Sequence, residues 1–137
     1  APTGRLIPVD GTPFDFRRMH SIGKMMDSEY EQYRKFGTYD HNFVIQGTGL
    51  REAAALQSKE SGIRMTCFTD QPGLQLYVPL YPIQTPGKNG VSYVPRTSVC
   101  LETQHFPDSV NHEDFPSIIL HPGEYFRSKT LYHFSTF

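Results

Sequence analysis

The densest group of side chains able to move a proton lies in Leu101-Glu-Thr-Gln-His-Phe-Pro-Asp-Ser-Val-Asn-His112. This segment follows an apolar run, so Glu102 stands at the end of an expected strand. A carboxylate placed there is costly unless it is paired or used. Alternation along an extended chain puts Glu102 and Gln104 on one face and Thr103 and His105 on the other. In a half-buried pocket such a glutamate makes a suitable general base near neutral pH. A carboxylate that caps a turn or pairs with an arginine fits the same residues.

Two further clusters carry polar groups suited to a polyol. Tyr39-Asp-His-Asn-Phe43 precedes an expected strand, and its Asp40, His41 and Asn42 can hydrogen-bond several hydroxyls. An Asx-turn leading into the strand explains these residues equally. Asp70-Gln-Pro-Gly-Leu-Gln-Leu-Tyr77 is a turn feeding a strand, in which Gln71 and Gln75 offer donors and acceptors without charge. A plain polar turn followed by a solvent-facing glutamine is the alternative. His20, His112, His121 and His133 have no local partner pattern. Cys67 and Cys100 sit in strand-like runs with no second ligand at metal spacing, so two buried free thiols and no metal site are expected. No glycine-rich phosphate loop, GxSxG or HExxH occurs in the sequence.

The elements that must position these groups are short. Eleven glycines and 11 prolines in 137 residues, about one residue in six, leave little room for long helices. Strands are expected over Asn42 to Gln46, Arg51 to Gln57, Ile63 to Thr69, Leu74 to Leu80, Thr97 to Glu102, Ser117 to Leu120 and Phe126 to Phe134. Turn signals separate them, and strands recurring at spacings of about a dozen residues suit a sandwich or barrel. A short helix is expected within residues 18 to 33, centred on Asp27 to Tyr33. The length predicts one all-β domain over residues 1–137. A net charge of -1 argues against nucleic acid or an anionic membrane as partner. No run of about 18 apolar residues is present that could span a membrane. Ala1-Pro-Thr-Gly lacks both a signal peptide's pattern and an initiator methionine, so the natural chain is expected to begin earlier.

Five motifs in order change the weight of these clusters: Thr12-Pro-Phe-Asp-Phe-Arg17, Tyr39-Asp-His-Asn-Phe43, Asp70-Gln-Pro-Gly-Leu-Gln-Leu-Tyr77, Leu101-Glu-Thr-Gln-His-Phe-Pro-Asp-Ser109 and Phe115-Pro-Ser-Ile-Ile-Leu-His-Pro-Gly-Glu124. Together they resemble the C-terminal part of the aldose 1-epimerase (galactose mutarotase) family, from about residue 8 to Phe134. The resemblance implies an antiparallel β-sandwich of the galactose mutarotase-like supersandwich type and interconversion of the α and β anomers of free hexoses. It assigns Glu102 as the general base at the anomeric hydroxyl, with Asp40 and Gln75 binding sugar hydroxyls. It implies no metal and no organic cofactor.

The family's general acid is a histidine ahead of the Thr-Pro-Phe-Asp-Phe motif, and no histidine here matches it. The expected partner is therefore an N-terminal polypeptide half that carries this histidine, besides the hexose itself. Half a sandwich should leave exposed strand edges and an uncovered apolar face. Phe43, Tyr77 and Phe106 are candidates for an aromatic floor beneath the sugar, and a cytoplasmic location is expected. Two other readings fit the residues: a non-catalytic carbohydrate-binding sandwich, or an epimerase of hexose 6-phosphates. The latter needs a basic phosphate pocket, for which the sequence offers no clear Arg/Lys cluster.

Overall fold

The computed structural model describes residues 2–26, 28–82 and 85–137, with the side chain of residue 25 excepted. Six strands are found among them: β1 (Asp40–Val44), β2 (Arg51–Ser58), β3 (Ile63–Thr69), β4 (Gly73–Tyr77), β5 (Cys100–Gln104) and β6 (Thr130–Thr136). They form two three-stranded sheets, ordered β1–β4–β5 and β2–β3–β6. Helix is confined to α1 (Glu31–Phe36) and three 3₁₀ turns. The all-β, mainly antiparallel class expected from strand spacing is therefore observed.

Some boundaries differ from the expected ones. The helix begins at Glu31, not near Asp27, which lies outside the described residues, and ends at Gly37 in the left-handed region (φ 69°). Ser117 to Leu120 joins no strand. Pro116 and Pro122 flank it and remove the amides a ladder needs there. The last strand starts at Thr130 instead of Phe126, and β5 starts at Cys100 instead of Thr97.

The chain divides into two compact units. The first comprises residues 1–4, 42–75 and 101–137. Its framework is the antiparallel β2–β3–β6 sheet, in which Cys67 faces Ala54 on one side and Tyr132 on the other. Alternation then places Ile63, Met65, Cys67, Tyr132 and Phe134 on one face. Cys67 is fully buried, whereas Ile63, Tyr132 and Phe134 are 46%, 44% and 64% exposed. Leu131 on the opposite face, the Ile118–Leu120 run, Tyr125 and Phe126 are also exposed, as expected of a partial sandwich. Both cysteines are free thiols, but Cys100 is only half-buried, against the expectation that both would be buried.

Two polar clamps close the turns of this unit. The Asp70 carboxylate accepts the Lys129 amide on both oxygens at 3.0 Å, and Gln71 Nε2 donates to Ser128 Oγ at 2.9 Å. The Arg51 guanidinium donates to five carbonyls, those of Ile45, Gln46, Gly49, Thr69 and Gln71. This arginine ties the β1–β2 turn to the β3–β4 turn.

The second unit comprises residues 5–41 and 76–100. Its core is aromatic. Phe14 packs edge-on against Tyr39 at 5.3 Å and against the His41 ring at 4.4 Å, and Tyr33 packs on Tyr39 at 5.4 Å. The Tyr39 hydroxyl is fully buried and donates to the Pro13 carbonyl at 3.0 Å. Burial pushes its pKa up to about 12. The Thr-Pro-Phe-Asp-Phe motif thus serves packing through Phe14. Its Asp15 carboxyl is held down to about 2, chiefly by the hydrogen bond from Arg17.

Candidate active site

Strand alternation and one side-chain bond define the face on which the first unit carries its polar groups. On β5, the Thr103 hydroxyl meets that of Thr130 at 2.5 Å, while Gln104 points the other way and donates to Asn42 Oδ1 at 3.4 Å. Glu102 shares the Gln104 side, as alternation along the motif predicts. On β4, a Cβ built at Gly73 would lie 2.6 Å from Asn42 Oδ1, so Gly73 and its alternate Gln75 also share that face. Leu74 and Leu76, 4% and 6% exposed, occupy the other side of β4. The first unit thus presents Asn42, Gly73, Gln75, Glu102 and Gln104 on one sheet face, drawn from three neighbouring strands.

Glu102 is exposed, which corrects the expectation of a half-buried carboxylate. Its neighbours on that face, Gln75 and Gln104, are half-buried. The backbone on either side of Glu102 is fixed: Tyr132 Oη donates to the Leu101 carbonyl at 3.0 Å, and Thr103 is held by Thr130. Burial raises the pKa of the Tyr132 phenol, and the Cys67 thiol and the negative charge of Glu102 add to the shift. The carboxylate is thus a solvent-exposed proton acceptor, with the half-buried amides of Gln75, Asn42 and Gln104 on the same face. Neutral amides and one carboxylate are suited to hydroxyls, not to a phosphate.

Asp40 belongs to the second unit, at the exposed start of β1. Its amide donates to Nδ1 of its neighbour His41 at 3.2 Å. The His41 ring packs against Phe14 and Phe36, and its buried Nε2 has no hydrogen-bond partner among the described residues. Burial lowers the pKa of His41, and the nearby Asp40 charge opposes the shift.

The aromatic floor is corrected in part. Phe43 alternates with Asn42 and so lies on the opposite face of β1. Phe106 borders the polar face, with Cδ1 3.0 Å from a Cβ built at Gly73. Tyr77 lies on the Gln75 side of β4 by alternation. Sequence reasoning missed the direct link between Gln104 and Asn42. The signal available was the glycine of Gln-Pro-Gly, a residue free of any side chain at the start of a strand.

The Pro-Asp-Ser stretch after β5 is a turn. Asp108 takes a left-handed conformation (φ 61°), Ser109 Oγ donates to the Phe106 carbonyl at 2.6 Å, and Asn111 Nδ2 donates to Asp108. Among the described residues, no three His, Cys, Asp or Glu side chains approach closely enough to hold a metal ion.

Comparison with known proteins bears on the same residues. The aldose 1-epimerase family model matches residues 1–133. Galactose mutarotase of Homo sapiens is 37% identical over 136 residues, covering 98% of this chain and 38% of that protein. Aldose 1-epimerase of Escherichia coli is 34% identical over 137 residues, covering 97% and 39%. A crystal structure of an aldose epimerase homologue from C. elegans superposes with a TM-score of 0.81 at 25% identity, covering 98% of this chain and 40% of that one. The chain therefore spans about two fifths of the length of the relatives it matches. With a family model that runs through all five motifs and into β6, this chain belongs to the aldose 1-epimerase family.

Proposed function

We propose that the chain forms the base-bearing portion of an aldose 1-epimerase acting on free hexoses such as galactose and glucose. The observation that carries this reading is the shared sheet face of Gln75 and Glu102, two residues the family resemblance assigns to the sugar site. Asp40 joins them in this reading as a second binder of sugar hydroxyls.

The chemistry follows from the groups. A Glu102 carboxylate oxygen takes the proton of the anomeric hydroxyl. The freed electron pair forms the C1 carbonyl as the bond from C1 to the ring oxygen breaks. A general acid must then protonate the ring oxygen, and it comes from an N-terminal polypeptide that carries the family's histidine. Rotation about the C1–C2 bond and reversal of the steps give the other anomer. That polypeptide would also cover the exposed Glu102 and raise the local strength of its hydrogen bonds by excluding water.

Polarimetry on freshly dissolved α-D-galactose tests the reading. The 137-residue chain alone should show little mutarotation, and addition of the N-terminal polypeptide should restore it. Glu102→Gln should then remove the restored activity, a loss of about 10²–10⁴ for a missing general base, and leave sugar binding largely intact. Full activity of the short chain alone, or an unaffected Glu102→Gln variant, refutes the assignment. Sugar binding without any restorable activity would indicate a carbohydrate-binding sandwich instead.

A further inference from the structure

The face that carries Gln75 and Glu102 holds a second layer that the proposed chemistry does not use. Two residues from Glu102 along β5 is Gln104, and two residues from Gln75 along β4 is Gly73. The third member is Asn42 on β1. Gln104 Nε2 reaches Asn42 Oδ1 at 3.4 Å although β4 runs between their strands. The bond passes only because Gly73 has no side chain. A Cβ there would lie 2.6 Å from Asn42 Oδ1, 3.0 Å from its Nδ2 and 3.0 Å from the Phe106 ring. Gly73 is not among the glycines with positive φ, so space and not backbone conformation calls for glycine at this point.

At 3.4 Å the amide bond is long, so it defines spacing more than it adds stability. On the opposite face of β5, Thr103 is bonded to Thr130, and the Leu101 carbonyl accepts from Tyr132. The strand is gripped from both faces, and Glu102 lies within the gripped stretch.

We propose that Asn42 and Gln104 are positioning residues for Glu102: their amide bridge over the bare Cα of Gly73 holds β5 at a fixed distance from β1 and aims the carboxylate. The inference rests on the reading of Glu102 as the base. An acid–base group displaced by about 1 Å can cost up to ~10² in rate, so loss of one grip out of two should cost about tenfold in kcat. The side chains of Asn42 and Gln104 need not touch the sugar, so KM should move little.

The test uses the chain complemented with the N-terminal polypeptide, assayed by polarimetry, with amide NMR spectra to confirm that each variant is folded. Gln104→Leu keeps the volume and removes the bridge, and kcat should fall about tenfold with KM within about threefold. The exchange of the two side chains, Asn42→Gln combined with Gln104→Asn, preserves both amides and their combined reach, and it should recover most of the lost kcat. Gly73→Ala should match Gln104→Leu where it folds; if it does not fold, Gln104→Leu and the exchange decide. An unchanged kcat in Gln104→Leu, a tenfold rise in KM instead, or no recovery in the exchanged pair overturns the positioning role while Glu102→Gln still reports on the base. If Glu102→Gln is itself without effect, the functional reading fails and the positioning role with it.

Discussion

Replacement of Arg51 by alanine should be among the most destabilising changes of a partly exposed side chain in this chain. The guanidinium donates to the carbonyls of Gln46 at 2.7 Å and Gly49 at 2.9 Å near the surface, and to those of Ile45, Thr69 and Gln71 at 2.7, 3.1 and 3.0 Å in partly buried positions. The two outer carbonyls regain water when the side chain is removed, so they contribute little. The three inner ones lose a charged donor at about 1 kcal/mol each, for a total of ~3 kcal/mol. Arg51→Lys should recover only about a third of that, because an ammonium cannot serve carbonyls arranged for a planar five-donor fork. Urea unfolding followed by circular dichroism measures both. With a slope of roughly 1–3 kcal/mol/M, the alanine midpoint should drop by about 1–3 M at unchanged slope. Equal midpoints for wild type and Arg51→Ala, or full recovery by lysine, would show that the five contacts carry no net stability and would refute this reasoning.

Acid should weaken the second unit through His41. Burial lowers its pKa in the folded chain, so its contribution is complete above the unfolded value near 6.5 and is lost as pH falls below it, by at most about 1.4 kcal/mol per pH unit. Urea midpoints measured from pH 7.5 to 5 should decline in wild type and flatten in His41→Phe; an equal slope in both contradicts the assignment. Tyr132→Phe should cost about 1 kcal/mol in the same unfolding assay, through the lost bond to the Leu101 carbonyl, and a neutral result would mean that water replaces the phenol without penalty.

Much of the first unit was legible because its strands are local patterns. Ile63–Thr69 was expected at its observed bounds, since alternating apolar and polar residues between two turns specify a strand without reference to anything distant. The face shared by Glu102 and Gln104 follows from period-two alternation alone. Other features depend on strand order, which skips along the sequence as β1–β4–β5. The Gln104–Asn42 bridge joins residues far apart in the chain and cannot be found until β4 is known to lie between them. The role of Arg51 is equally non-local, because its five acceptors are backbone carbonyls whose side chains carry no signal. Ser117 to Leu120 misled in the opposite way: a local apolar run between two prolines reads as a strand, but no neighbouring edge accepts it.

The pairing of β3 with β6 has a consequence for how this chain reaches its structure. Thr69 is matched with Thr130 and Ile63 with Thr136, so the sheet closes over a separation on the order of sixty to seventy residues. Closing a flexible loop of that size costs roughly 4 kcal/mol of chain entropy before any of its contacts form. The hairpin of β2 and β3 can form while the chain is still being synthesised, but one edge of β3 must wait until β6 has left the ribosome. During that interval the hairpin is an open template for any extended segment nearby. The bifurcated hydrogen bond from the Lys129 amide to the Asp70 carboxylate sits beside the first rung of the late pairing, where it can select the correct register before the remaining rungs zip. Folding of this chain should therefore be slow for its length and limited by the arrival of β6.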